Sequence, residues 1–318
     1  MRVIYGLTHF KPQNIKPAVA LGVFDGLHRG HQKIIANLLK QAKAFQVPSL
    51  IVTFFPHPQK KASLYSLPHR LQLLEEAGVD LCLVIHFSTA FRRIPAKKFL
   101  ENILIKKINP EVVLIGRNFN FGRYAEGNWQ MLRDYSKKAG FKLRVINVLT
   151  YKGNPISSNY IRVLIKGGDF RKAQDLLGRP VTIFGRVTGG NRFARILGYP
   201  TANIEPDHEI LPPFGVYAVR VMVAYSPFNG ICYIGNRPTI NQIRRKSIAA
   251  SGFSSQVKAT NKTNIEVHIF DFTNNLYGRR IQIEFIRKIR AEKRFGSSQA
   301  LARQIKRDIL NCHKIFHL

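Results

Sequence analysis

Two histidines lie three residues apart in the glycine-rich segment Gly22-Val-Phe-Asp-Gly-Leu-His-Arg-Gly-His31. The segment joins an apolar run to a helical pattern, so it predicts a strand-to-helix turn whose backbone N–H groups can approach a phosphate. His28 and His31, on the first helical turn, can both donate to phosphoryl oxygens and stabilise the charge that grows during attack at an α-phosphate. We therefore predict a nucleotide site here, with further contacts from Gly22, Phe24, Asp25, Gly26 and Gly30.

The first half of the chain must position this turn, and it alternates between β-branched runs and helical patterns. Apolar residues recur at 3.6-residue spacing over Lys33–Val47 and Pro95–Ile108. The alternation predicts a parallel sheet with helices on both faces, in which ligands lie at the carboxyl ends of the strands. The predicted strands are Ala18–Phe24, Ser49–Phe55, Asp80–Phe87, Val112–Gly116 and Leu143–Leu149.

After about Pro180 the pattern changes to strands without intervening helices, which predicts an antiparallel sheet closed into a small barrel. An amphipathic helix from Ser298 follows, with Leu301, Ile305 and Ile309 on one face, and Lys166–Leu177 is predicted to be a helix that bridges the halves. We expect two domains, 1–180 and 181–318. The predicted barrel strands are Val181–Val187, Gly215–Ala224, Gly230–Gly235, Asn264–Phe272 and Arg280–Ile286.

Composition narrows the class of protein. The 318 residues include 50 Lys+Arg and 18 Asp+Glu, which gives a net charge of +32, while 45% hydrophobic residues exclude a disordered basic tail. The longest apolar runs are too short to span a bilayer, the amino terminus lacks a secretory pattern, and three distant cysteines exclude a disulfide framework. We expect a soluble cytoplasmic protein without a membrane partner.

The positive charge predicts a polyanionic partner or reflects a compositional bias of the source organism. The basic residues are spread along the chain, and the densest groups contain no interleaved aromatic residues. A nucleic-acid partner is therefore not expected.

Several further motifs resemble those of bacterial bifunctional riboflavin kinase/FMN adenylyltransferases, also called FAD synthetases. The resemblance covers nearly the whole chain and implies a Rossmann-like HxGH nucleotidyltransferase domain followed by a flavokinase β-barrel. The motifs are Thr53-Phe-Phe-Pro-His57-Pro58, Ile115-Gly-Arg-Asn118-Phe119-Asn-Phe121-Gly122, Ile156-Ser157-Ser158-Asn-Tyr-Ile-Arg162, Gly198-Tyr-Pro-Thr201-Ala-Asn203, Leu211-Pro-Pro-Phe-Gly-Val-Tyr217, Tyr233-Ile-Gly235-Asn-Arg-Pro-Thr239, Ile265-Glu266-Val-His-Ile-Phe-Asp271 and Arg290-Ala-Glu-Lys-Arg-Phe295.

The resemblance implies that riboflavin is phosphorylated with ATP to FMN, and that FMN is then adenylylated to FAD with release of pyrophosphate. It makes Glu266 the base that takes the proton of the riboflavin 5′-hydroxyl, and Thr201 and Asn203 the ligands of Mg²⁺. Implied nucleotide contacts are His57, Ser157, Ser158, Arg162, Gly189, Arg192, Arg195 and Pro200. Implied flavin contacts are Asn118, Phe119, Phe121, Tyr217, Arg290 and Phe295.

The chain departs from the family pattern at three places. Asn118 replaces an aspartate, Asn159 replaces a threonine, and Phe193-Ala194 replaces an Arg-Gly pair of the nucleotide loop. An enzyme that retains one of the two activities is therefore an alternative. A tRNA-charging enzyme is disfavoured because no KMSKS-like segment follows, and a nucleic-acid-binding protein on an enzyme fold is the remaining alternative.

Overall fold

Six strands of the first half form a parallel sheet in the structure, which is a computed structural model. It describes residues 1–11, 15–59, 62–189, 198–207, 210–224, 226–236 and 263–317. The strands are β1 (Arg2–Tyr5), β2 (Ala18–Leu21), β3 (Ser49–Phe55), β4 (Leu81–His86), β5 (Val112–Gly116) and β6 (Lys142–Ile146). Their order is β1-β4-β3-β2-β5-β6, and every pairing is parallel, as the sequence predicts.

Both faces of this sheet are covered. Val19 and Leu21 of β2 pack into one hydrophobic cluster, and the alternate residues Ala18 and Ala20 pack into a second one. A strand buried on both faces is an uninterrupted apolar run, which is why Ala18–Leu21 lacks polar residues. The helices are α1 (Arg29–Phe45), α2 (Leu67–Glu76), α3 (Thr89–Arg92), α4 (Ala96–Lys98, continued as a π-helix over Phe99–Ile108), α5 (Trp129–Ala139), α6 (Ser158–Gly167) and α7 (Phe170–Leu177).

The second half forms a closed antiparallel barrel followed by a helix, which confirms the predicted class. Alternate residues of one strand, Ile265, Val267 and Ile269, are buried, whereas Glu266 and His268 between them are partly exposed. The barrel strands are β9 (Val181–Thr188), β10 (Ala202–Pro206), β11 (Gly215–Val223), β12 (Ser226–Gly235), β13 (Asn264–Ile269) and β14 (Arg280–Ala291). Their order is β10-β13-β12-β11-β14-β9, and β9 pairs with β10 to close the barrel. The short strands β7 (Thr150–Tyr151) and β8 (Asn154–Pro155) precede the barrel in the chain, and helix α8 (Ser298–Phe316) follows it.

Two predictions about elements are wrong. The helix predicted over Lys166–Leu177 is interrupted, because Gly168 has a φ of 80° and Asp169 caps the next helix by accepting from the Lys172 N–H at 3.1 Å. Strands β1 and β10 were not predicted, so the glycine-rich turn follows the second strand of the sheet rather than the first.

The backbone contacts divide the chain into two units. The first comprises 1–162 and 175–178, and the second comprises 163–174 and 179–318. Residues 163–174 group with the second unit and residues 175–178 with the first, so the predicted boundary at residue 180 stays a prediction.

Candidate functional sites

Three loops that carry predicted site residues lie at the carboxyl ends of neighbouring strands of the parallel sheet. β2 lies between β3 and β5, and the loops after these strands contain Asp25, His57 and Asn118, respectively. From β2 the chain continues through β3 and β4 on one side, and then returns to β5 on the other. A change of direction of this kind opens a crevice beyond the carboxyl ends of the strands, where ligands bind.

The glycine-rich turn after β2 has an unusual backbone that its neighbours fix. Phe24 adopts a left-handed conformation with φ 53°, and Gly26 has φ 78°. A Cβ atom at Gly26 would lie 2.6 Å from Leu64 Cδ1, so the turn requires glycine there. The Asp25 side chain is buried and accepts from the backbone N–H groups of Leu64 at 2.8 Å and Tyr65 at 3.3 Å.

The two histidines of the turn lie face to face at the start of α1. The imidazole centroids of His28 and His31 are 3.7 Å apart with an interplanar angle of 18°, and buried Phe24 contacts the ring of His31 at 5.4 Å. Gly30 makes this arrangement possible, because a Cβ atom there would approach the His28 ring to 3.2 Å. Imidazole N–H groups can donate to an anion, and a helix N-terminus favours negative charge.

The start of α6 is attached to the same turn. The Ser158 hydroxyl donates to the Asp25 carbonyl oxygen at 2.9 Å, and Ser157 Oγ accepts from the Tyr160 N–H at 3.3 Å. The Arg162 guanidinium pairs with the Asp25 carboxylate and donates to Asn159 Oδ1 at 2.7 Å. Asp25 and Arg162, both predicted as nucleotide contacts, therefore contact each other.

On the barrel, strand register brings together the residues predicted for a second reaction. Asn203 of β10 lies directly opposite Glu266 of β13, and Tyr233 of β12 lies opposite Glu266 on its other side. Directly opposed residues of antiparallel strands have Cβ atoms about 5 Å apart on one face. The Glu266 carboxylate also accepts from Asn264 Nδ2 at 2.6 Å, which orients it.

The segment before β10 is fixed against β13. His268 Nδ1 lies 2.8 Å from the Pro200 carbonyl oxygen, so the ring nitrogen is the donor, and Tyr199 packs edge-on against the same imidazole at 5.8 Å. Thr201 lies two residues before Asn203 and shares its side of the extended chain. The Asn203 amide and the Glu266 carboxylate thus belong to one face of the barrel, and the spacing predicts the Thr201 hydroxyl on the same side.

Comparison with protein families and relatives matches both halves. The FAD synthetase family model matches residues 10–160, and the riboflavin kinase model matches residues 177–316. Bifunctional riboflavin kinase/FMN adenylyltransferases are similar over most of both chains. That of Buchnera aphidicola subsp. Schizaphis graminum is 36% identical over 100% of both chains, and that of Haemophilus influenzae is 34% identical over 100% of both. The chain belongs to the bifunctional riboflavin kinase/FMN adenylyltransferase family.

A solved structure also matches. A crystal structure named as a macrolide-efflux protein from Streptococcus pneumoniae is 26% identical, with a TM-score of 0.78 over 97% of this chain and 98% of that one. Within the part of the chain that the structure describes, no helix has the length and apolar character needed to cross a membrane.

Membership of the riboflavin kinase/FMN adenylyltransferase family confirms the predicted function. The chain carries both domains, and its activities imply riboflavin, FMN and ATP as substrates. Reactions that consume ATP imply a divalent metal, and within the described residues no cluster of three His, Cys, Asp or Glu side chains could hold one. The Thr201 hydroxyl and the Asn203 amide oxygen offer oxygen ligands, which suit a hard divalent cation that is also bound by phosphates.

The residues predicted to contact flavin differ in burial: Phe121 and Tyr217 are buried, whereas Phe119 and Asn118 are at least partly exposed. Phe121 is 7% exposed in the core, and Tyr217 is wholly buried, donates to the Pro213 carbonyl and packs against Phe285 at 5.3 Å. Burial raises the pKa of the Tyr217 phenol. Phe119 is half-buried against Phe121 at 5.9 Å, and Asn118 is exposed.

Arg290 and Phe295 lie together after β14. Arg290 Nε donates to both oxygens of the buried Asp308 carboxylate, at 2.9 and 3.1 Å, and its guanidinium lies 5.6 Å from the Phe295 ring centroid. Asp308 belongs to α8, so the terminal helix orients this arginine. Of the other predicted residues, Gly189 follows β9, whereas Arg192, Arg195 and the Phe193-Ala194 departure lie outside the described residues.

Sequence reasoning missed a hydrogen bond next to Glu266. The Tyr233 hydroxyl donates to Glu292 Oε1 at 2.6 Å, and a Cβ atom at Gly235 would lie 2.3 Å from both atoms. Burial, the Glu292 hydrogen bond and the nearby carboxylates raise the pKa of Tyr233, so the phenol remains a donor. The signal in the sequence is a Tyr in the first position of a motif that starts with Asn in the family.

Proposed function

We propose that residues 1–180 adenylylate FMN and that residues 181–318 phosphorylate riboflavin, each at the site described above. The observation that carries the first assignment is the stacked pair His28 and His31 at the start of α1. The observation that carries the second is the register that opposes Asn203 and Glu266. Both are supported by the family models, which cover the same two regions.

In the adenylyl transfer, the FMN phosphate attacks the α-phosphorus of ATP and pyrophosphate leaves. A phosphate oxyanion is already a nucleophile, so the site needs no general base, and its contribution is alignment and neutralisation of charge. His28, His31 and the N–H groups of Gly22–Gly26 hold the phosphates, with His57 beside them. Asp25, Ser158 and Arg162 hold the turn in place, Ser157 begins α6, and Phe119 and Asn118 face the flavin with Phe121 beneath.

In the kinase reaction, Glu266 removes the proton of the riboflavin 5′-hydroxyl while the oxygen attacks the γ-phosphorus of ATP. Asn264 orients the carboxylate that accepts this proton. Thr201 and Asn203 would hold Mg²⁺, which neutralises phosphate charge when it is bound. Gly189, Pro200, Arg192 and Arg195 would contact ATP. Arg290 and Phe295 would contact the flavin, and Tyr217 would support them from the core.

The two activities can be tested separately in the full-length chain. Purified protein is incubated with riboflavin, ATP and MgCl₂, or with FMN in place of riboflavin, and the flavins are separated by chromatography. We expect Glu266→Gln to slow formation of FMN by roughly a hundredfold or more while FMN is still converted to FAD. We expect His31→Ala to show the reverse pattern.

A matched control is Glu284→Gln, which removes another half-buried carboxylate from the barrel strands. It should leave both rates within about twofold of the original, because β14 is not paired with β10 or β13, the strands that carry Asn203 and Glu266. Loss of both reactions in Glu266→Gln or in His31→Ala would contradict the assignment, and so would normal FMN formation by Glu266→Gln. The predicted location in the cytoplasm belongs to this proposal as well, since its substrates are intracellular metabolites.

A further inference from the structure

A buried arginine that the sequence motifs do not include lies beneath the glycine-rich turn. Arg70 belongs to α2 and is 2% exposed. Its Nη1 donates to the Val23 carbonyl oxygen at 2.6 Å and lies 3.3 Å from Thr53 Oγ1, and the Thr53 hydroxyl donates to the same carbonyl at 2.9 Å. One carbonyl of the turn is therefore held by two side chains from α2 and β3.

These bonds determine which way the next N–H group points. The peptide unit between Val23 and Phe24 is planar and trans, so its C=O and N–H point in opposite directions. Because Arg70 and Thr53 hold the Val23 carbonyl from the interior, the Phe24 N–H points away from them. Phe24 itself adopts a left-handed φ of 53°.

Arg70 also adds positive charge that, among the residues the structure describes, the Asp25 carboxylate neutralises only in part. Asp25 is the carboxylate whose charge acts on Arg70, but Asp25 is paired with Arg162. The neighbouring Cys82 is neutral, since burial raises the pKa of its thiol to about 12. Two guanidinium groups thus share one carboxylate, and burial lowers the pKa of Arg70 because the charged form loses hydration.

We propose that Arg70 is a positioning residue for adenylyl transfer: it orients the Val23–Phe24 peptide and supplies positive charge, only partly offset by Asp25, beneath the turn that receives the phosphates of ATP. The inference rests on the proposed function of the first unit. A buried charge is screened less by solvent than a surface charge, so its effect on a bound anion persists in salt. The effect must grow with the number of phosphates on the ligand.

The test uses the full-length chain and measures conversion of FMN to FAD, so that kinase activity is not required. Three variants are compared: Arg70→Met, Arg70→Lys, and Arg2→Met as a control that removes an exposed arginine from the amino end of β1, at the opposite edge of the sheet. KM and kcat for ATP are measured, together with inhibition constants for adenosine and ADP. Urea unfolding followed by fluorescence of the single tryptophan, Trp129, reports whether the first unit is folded.

For Arg70→Met we expect KM for ATP and the inhibition constant for ADP to rise by about tenfold, and that for adenosine by less than about twofold. For Arg70→Lys we expect the ratio of ADP to adenosine inhibition constants to stay near the original. Its kcat should fall by about threefold or more, because one ammonium group does not reproduce the planar guanidinium. Arg2→Met should match the original protein.

Equal losses for adenosine and ADP in Arg70→Met would overturn the electrostatic part of the proposal. If Arg70→Met does not fold, Arg70→Lys decides: an unchanged kcat with an unchanged KM would overturn the positioning role. An original protein that forms no FAD from FMN would instead refute the proposed function itself, and the two failures are therefore distinguishable.

Discussion

The ion pair between Asp25 and Arg162 gives the sharpest prediction for the stability of the first unit. The Asp25 side chain is 2% exposed and that of Arg162 is 11% exposed. Asp25→Asn keeps the shape and an acceptor for the N–H groups of Leu64 and Tyr65, but it removes the charge that faces the guanidinium. Removing one member of a buried pair costs about 3–5 kcal/mol, because the remaining charge is left without compensation.

A double-mutant cycle with Arg162→Met isolates the interaction. The free energy of unfolding is measured in urea through the fluorescence of Trp129, which lies in the same unit as the pair. We expect each single variant to lose about 3 kcal/mol and the double variant to lose much less than the sum. The reasoning is refuted if the two losses add to within about 0.5 kcal/mol, which is the behaviour of independent sites.

Three further predictions concern the barrel and the Cys82 thiol. Gly235→Ala should displace Glu292 from Tyr233 and destabilise the protein by about 1 kcal/mol, the net value of one hydrogen bond. It should also slow the formation of FMN from riboflavin but not the formation of FAD from FMN. Unchanged kinetics would contradict this prediction. Cys82 should resist iodoacetamide at pH 8 in the native state and react in urea, because its folded pKa of about 12 lies above the ordinary value of 9.0. The same difference means that the contribution of the Cys82 thiol to the free energy of unfolding is complete below pH 9 and is lost as the pH rises towards 12. Urea unfolding at pH 8 and pH 11 can measure this loss.

The fold was predictable where a segment carries a local signal. Ser49–Phe55 and Val112–Gly116 are mostly apolar runs rich in β-branched residues, each followed by a proline or a charged residue, and the structure has both strands with the predicted bounds. Arg2–Tyr5 is short and has only one buried residue, so it lacks that signal. It forms a strand because its backbone pairs with β4. The helix over Lys166–Leu177 was predicted as continuous because apolar spacing persists across Gly168, although the backbone turns there.

In the candidate sites, too, residues that are contiguous in the chain can be predicted, whereas contacts between distant residues cannot. The turn with His28 and His31 is visible because its glycines and histidines are contiguous, whereas Asp25 and Arg162 are separated by 137 residues. The contact therefore exists only after the start of α6 packs against the turn. Arg70 had a weak signal in the sequence: it lies at helical spacing from the buried residues Leu67 and Leu74, where an apolar residue is expected.

The departures from the family pattern become intelligible from these contacts. Asn159 replaces a threonine, and its Oδ1 accepts from Arg162 Nη1 at 2.7 Å, so an oxygen acceptor at this position is retained. Asn118 replaces an aspartate, but its side chain is exposed, and a Cβ atom at Gly116 would come within 3.2 Å of its Oδ1. Because the fixed charges beneath the turn come from Arg70, Asp25 and Arg162, the architecture of the turn does not depend on a charge at residue 118. Both substitutions are thus compatible with two functional sites in one chain.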